Sequence, residues 1–135
     1  MTEQEVIKEP WQTEVNAENH VHTNGQYTNL ILNDYKGQVG IKGGDWIKVR
    51  KHNEFNGPYT QEKEGQYGKY NMHMMKVMVG DQEASFVSFS DQEAEAFENV
   101  AGLGDLIGIS KKKYTYVDKR GIERVKEELV FKKLE

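Results

Sequence analysis

From Tyr27 onward the chain is written in short runs of alternating apolar and polar residues broken by glycine, the period-two pattern of half-buried β-strands. Tyr27–Leu32 and Gln38–Ile41 read as a hairpin around Asn33-Asp34-Tyr35-Lys36-Gly37. Gly43-Gly44-Asp45 then turns the chain into a strand at Trp46-Ile47-Lys48-Val49-Arg50-Lys51. Residues 52–68 lack a period and read as a long polar loop carrying Phe55, Tyr59 and Tyr67. Lys69–Val79 is the next strand, and Gly80-Asp81 turns it into Glu83–Phe89. One segment has helical spacing. Ser90-Asp91-Gln92-Glu93 fits a capping box, Ala94, Phe97 and Val100-Ala101 form the stripe, and Gly102 ends it. Leu106–Ile109 continues through Lys111–Val117, turns at Asp118-Lys119-Arg120-Gly121 and returns as Ile122–Leu134. Residues 1–25 have few apolar side chains, no sustained period, and Pro10 and Gly25 as breakers, so they are expected to be a flexible acidic arm in which Trp11 stands out. Residues 26–135 are expected to form the folded domain.

Successive side chains of a strand point to opposite faces, so choosing the core face assigns the other one. With Ile47 and Val49 inward, Trp46, Lys48 and Arg50 share the outer face. With Met75, Val77 and Val79 inward, Tyr70, Met72, Met74 and Lys76 point out. Ile107 and Ile109 inward place Lys112, Tyr114 and Tyr116 outward; Val125, Leu129 and Phe131 inward place Arg124 and Lys126 outward. Four strands thus yield one outer composition, basic residues interleaved with Trp, Tyr and Met. Exposed aromatic rings let unpaired bases stack while lysine and arginine follow the phosphates. A duplex reader needs a helix or ribbon for the groove, and the one helix carries Asp91, Glu93, Glu95 and Glu98, which phosphate would repel, so single strands are the better match.

The net charge of -4 at first argues against a polyanion partner. Its distribution removes the objection. Residues 1–22 hold five glutamates against Lys8, whereas residues 111–135 hold nine basic and five acidic side chains. At 135 residues the chain is one domain, and the absence of cysteine removes disulfides, thiolate metal sites and cysteine nucleophiles and suits a reducing, cytoplasmic setting. No apolar run is long enough for a membrane span or a signal peptide.

Two motifs carry a family resemblance. Gly65-Gln66-Tyr67-Gly68-Lys69-Tyr70 leads into one strand, and Gly104-Asp105-Leu106-Ile107-Gly108-Ile109 opens another. The arrangement resembles the oligonucleotide-binding (OB) fold, a mainly β, five-stranded Greek-key barrel with one helix between its third and fourth strands, here with an extra hairpin. Within that fold it is similar to the small single-stranded DNA-binding proteins of phages and prokaryotes, over residues 45–134. The resemblance implies a binding surface at Trp46, Lys48 and Arg50, at Tyr67, Tyr70, Met72 and Met74, and at Lys112, Tyr114, Tyr116, Lys119, Arg120 and Arg124. It implies a non-enzymatic protein without cofactor that coats single-stranded DNA in replication, recombination or repair, with room for a homo-oligomer. A phage protein of this kind would act in its host cell. The same surface would also suit single-stranded RNA, or a protein-interaction subunit of a larger assembly. Where that family carries an acidic tail after the barrel, this chain has its acidity in residues 1–22, expected to recruit replication or recombination proteins or to compete with DNA for the basic face.

Other chemistry fails on spacing. Gly37 to Gly44 lacks the phosphate-loop order, and Gly102 to Gly108 runs into a strand rather than a helix. His20-Val21-His22 has no third ligand nearby, and alternation splits Met72-His73-Met74-Met75 between two faces. No serine–histidine spacing suggests a nucleophile.

Overall fold

Strand after strand, the inward positions of the alternating runs meet in one core, in a computed structural model that describes residues 9–54 and 57–134. Among the described residues nine strands and one α-helix form around it: β1 (Thr13–Glu14), β2 (Val21–Asn24), β3 (Tyr27–Leu30), β4 (Asp45–Lys51), β5 (Tyr59–Gly65), β6 (Gly68–Val79), β7 (Gln82–Ser88), α1 (Asp91–Val100), β8 (Leu106–Val117) and β9 (Glu123–Lys133). A 3-10 turn at Ala17–His20 precedes β2. The fold is mainly β, as expected. The sheet is mixed and open, with the path β2-β3-β7-β6-β4-β8-β9, while β1 pairs with β4 and β5 with β6 beside that path. A closed five-stranded barrel is therefore not what forms.

Ile47 and Val49 of β4, Met75, Val77 and Val79 of β6, Ile107 and Ile109 of β8 and Leu129 of β9 are all buried, with Phe131 packed half-buried against them. The expected core faces of these strands hold, except at Val125, which is 61% exposed. There the β8–β9 ribbon has run past the core, its ladder unbroken from Ile107–Lys133 to Val117–Glu123.

The helix forms where its cap predicts, and its ends show how it is tied down. Ser90 Oγ accepts the Glu93 backbone N–H at 3.2 Å. The Glu93 carboxylate, instead of closing the box, accepts from Ser88 Oγ at 2.6 Å and from the Leu129 backbone N–H at 2.7 Å, stitching α1 to β7 and β9. At the other end the buried Lys51 ammonium donates to the Ala101 carbonyl at 3.2 Å, a cation where the helix dipole is negative.

Three expectations are corrected. Residues 13–24, expected within the arm, are built into the sheet: β1 lies parallel to β4, Ala17 joins the core, and β2 pairs with β3. The hairpin partner of Tyr27–Leu30 is accordingly β2, not Gln38–Ile41; the 33–37 segment closes on a Tyr35–Gln38 bridge, with the Ile41 N–H donating to the Leu32 carbonyl and the Gly40 N–H to Asp34 Oδ1. Residues 59–65, expected as loop, are β5, paired along its length with β6. Phe55 lies outside the described residues. Among the described residues no helix is long and apolar enough to cross a membrane.

Lys111 occupies the inward position after Ile109, and its buried ammonium donates to the carbonyls of Leu32 and Ile41, pinning the 32–41 segment to β8. Burial pushes its pKa below the ordinary lysine range, against the opposing pull of Glu127 at 3.7 Å. Each bond from a charged donor contributes about 1.5–3 kcal/mol, and burial of the charge offsets part of the two. Lys111→Met, which keeps the stem and removes the donors, is expected to lower stability by about 2 kcal/mol in urea denaturation.

Candidate nucleic-acid interface

Burial of His73, Met75, Val77 and Val79 sends Tyr70, Met72, Met74 and Lys76 to the outer face of β6. Register then sets their neighbours. On β5, Lys63 stands opposite Tyr70, Gln61 opposite Met72 and Tyr59 opposite Met74. On β7, Val87 is opposite Met74 and Ser85 opposite Lys76. Phe89, just past β7 and 62% exposed, packs the edge of its ring on Tyr70 at 5.8 Å between centroids. Alternation puts Glu62 and Glu64 on the opposite side of β5. From Tyr70 to Met74 the outer face is therefore aromatic and methionine-rich, and at its far end Lys76 is paired with Glu83 of β7 at 3.5 Å. Tyr67 stands at the tip of the β5–β6 hairpin, 95% exposed, where Gly68 at φ +117° supplies a backbone conformation that L side chains rarely adopt.

Behind this face a second set of side chains fastens β5 and β6 to the helix. His73 is buried, its Nδ1 2.8 Å from Thr60 Oγ1 and its Nε2 2.6 Å from Asp91 at the start of α1. The hydrogen bond from His73, helped by one from Asn71, holds the Asp91 carboxyl below its ordinary value of 3.8. Glu83 is likewise lowered, first by its hydrogen bond from His52 at 2.6 Å. A carboxylate with a depressed folded pKa contributes stability that is present above its unfolded pKa and is lost as pH falls through the folded one. Acid destabilisation below about pH 4 is expected to lose slope in Asp91→Asn, measured as urea midpoint against pH.

The β8–β9 ribbon carries the second expected group. Lys112, Tyr114 and Tyr116 share its outer face, with Tyr114 opposite Lys126 and Tyr116 opposite Arg124. Lys112 Nζ lies 5.9 Å from the Tyr114 ring. At the tip, Asp118 accepts from the Ile122 and Arg120 backbone N–H groups and from Arg124 Nε at 2.9 Å, which together lower its pKa. That turn presents Lys119 and Arg120 to solvent, while Arg124 is partly committed to Asp118.

Trp46, Lys48 and Arg50 do lie on the outer face of β4, between the other two groups in the sheet order. They are not free. The Trp11 ring meets Trp46 edge-on at 6.1 Å between centroids, Glu14 lies 3.9 Å from Lys48, and Arg50 donates to the Gly104 carbonyl at 3.1 Å. The structure thus sets Tyr67, Tyr70, Met72 and Met74 together, and Lys112, Tyr114, Tyr116, Lys119, Arg120 and Arg124 together, with a covered stretch between. Sequence reasoning missed Tyr59, Lys63, Val87 and Phe89. Alternation signals Phe89 once Ala84, Phe86 and Ser88 are inward, and Tyr59 and Lys63 were hidden by reading β5 as loop.

His20 Nδ1 is engaged with the Val39 carbonyl at 3.1 Å, and among the described residues no group of three ligating side chains could hold a metal ion. In comparisons with known proteins, no family model, no curated protein and no solved structure matches the chain.

Proposed function

We propose that this chain binds single-stranded DNA with little sequence preference, as an OB-type module serving replication, recombination or repair. The observation that carries the proposal is the exposed face of Tyr59, Tyr70, Met72, Met74 and Phe89 with Lys63 standing beside Tyr70. Rings without a full packing partner can take bases, and flanking cations neutralise the phosphates that follow.

The OB reading rests on strand order. Taking β4, β6, β7, β8 and β9 as the five strands, the path β7-β6-β4-β8-β9 sets the first strand between the second and the fourth, and α1 falls between the third and fourth. Such barrels are partly open, and they take oligonucleotides on the second and third strands and on the loops joining strands one to two and four to five. Those places correspond here to the outer face of β6 and β7, the β5–β6 hairpin with Tyr67, and the 118–122 turn with Lys119 and Arg120.

Titration of the labelled protein with oligo-dT, followed residue by residue by NMR, tests the proposal. Shifts should concentrate at Tyr59, Tyr67, Tyr70 and Phe89 and at the ribbon tip. Shifts absent from the β5–β7 face would reject it as the base platform, and a larger response to duplex would reject single-strand binding.

A further inference from the structure

The chain keeps its own N-terminal segment on the stretch of sheet between the two exposed groups. Trp11 is seated with unusual care. Its backbone lies at φ +67°, a region costly for a non-glycine residue, and its N–H donates to Ser110 Oγ at 3.0 Å. Lys132 Nζ stands 4.3 Å from the centre of the Trp11 ring and 5.6 Å from that of Trp46. The floor of the seat is Gly108, where a Cβ would come within 2.9 Å of Trp11 Cζ3. Three residues on, Glu14 sets its carboxylate toward Lys48. An aromatic ring on Trp46 and Lys132, followed by an anion on Lys48, is the chemistry of a base followed by its phosphate.

We infer that Trp46, Lys132 and Lys48 form a further nucleotide subsite for single-stranded DNA, and that Trp11 and Glu14 occupy it as a built-in substitute. This rests on the proposed single-strand binding and deepens it. The segment is attached so that it can leave. Beyond the Trp11–Ser110 bond and the two-residue β1–β4 pairing, main-chain bonds run from Gln12 and Thr13 to the Gly44 carbonyl and from Val15 to the Trp46 carbonyl. Its anchors are Val15, packed against the core, and Ala17 within it, both beyond residues 9–14. Beside it, where β1 and β6 leave the middle of one edge of β4 unpaired, runs a groove of about 530 Å³ that Glu14 and Glu18 line together with Lys48 and Arg50. When residues 9–14 lift, Glu14 leaves with them and Lys48 gains room for phosphate. The outer face then runs continuously from Tyr70 through Trp46 to Tyr114.

Weakening the substitute should strengthen DNA binding, because an apparent dissociation constant equals the intrinsic one divided by the open fraction. For a segment closed nine-tenths of the time, Trp11→Ala is expected to bind oligo-dT about tenfold more tightly than the unaltered chain at low salt. Glu14→Gln, which removes only the anion, should move the same way and stands in if Trp11→Ala folds poorly. In Trp11→Phe, Trp46 is the only tryptophan, and its emission should be quenched on adding oligo-dT. Unchanged or weaker affinity in both Trp11→Ala and Glu14→Gln overturns the subsite. Tyr70→Ala measured alongside separates the two readings. If it loses affinity while those variants gain none, only the subsite falls; if no variant differs from the unaltered chain, the proposed function falls as well.

Discussion

Replacing Tyr70 and Phe89 together by alanine is expected to weaken oligo-dT binding by about 2–6 kcal/mol, the largest loss available from the surface. Base stacking on an aromatic side chain contributes about 1–3 kcal/mol per base by alanine substitution. The two rings sit 5.8 Å apart in edge-to-face contact, so each holds the other's orientation. Residues in contact do not add independently, and the single variants should therefore sum to something other than the double. Equilibrium titration of both singles and the double gives the coupling directly. Both side chains are substantially exposed, so the loss should come with little change in the urea midpoint, whereas a structural role would move the two together.

A second substitution acts on the scaffold. Phe97 is buried at the centre of the helix stripe, with its ring 5.4 Å from Phe86 and 5.1 Å from Phe131. Lys51 Nζ lies 5.7 Å from the same ring on its way to the helix C-terminus. A ten-residue helix is too short to be stable by itself, so this contact largely decides whether α1 stays on the sheet. Phe97→Ala is expected to cost about 3–5 kcal/mol, a large part of the roughly 5–15 kcal/mol available to a small domain. Urea denaturation measures it, and a loss below about 1 kcal/mol would mean that the helix is not held as described.

These expectations rest on elements that differ in how openly the sequence announces them. Ile47/Val49, Met75/Val77/Val79 and Ile107/Ile109 alternate against polar neighbours because one face of each strand must be dry, and the helix declares its start through Ser90. Those elements were legible. β5 was not, since Thr60, Gln61, Glu62, Lys63 and Glu64 form a ribbon strand with mainly solvated faces, held by main-chain pairing that leaves no apolar period. The strands at 13–14 and 21–24 were hidden for a related reason: they attach through backbone bonds and the few contacts of Val15, Ala17 and Val21. Lys111 defeats pattern reading altogether, a charged residue at an inward position whose partners are the carbonyls of a distant segment.

The candidate site shows the same division. Tyr70, Met72 and Met74 follow from one strand's alternation, and so do Lys112, Tyr114 and Tyr116. Their neighbours come from register between strands, which sequence alternation does not contain: Tyr59 meets Met74 only because Gly65 pairs with Gly68. That Trp46 is covered depends on Trp11, 35 positions away and in a backbone conformation that nothing in its neighbourhood dictates.

The central claim is that the outer face of this sheet takes unpaired nucleotides by stacking and charge. Anisotropy titrations of labelled oligo-dT and of a duplex of equal length, repeated between roughly 50 and 200 mM salt, test it most directly. The account predicts tighter binding to the single strand at every salt concentration. It also predicts log K falling linearly with log salt, by about 0.7 for each phosphate neutralised on the single strand. Equal or tighter binding to duplex, or an affinity for oligo-dT that salt does not change, would contradict it.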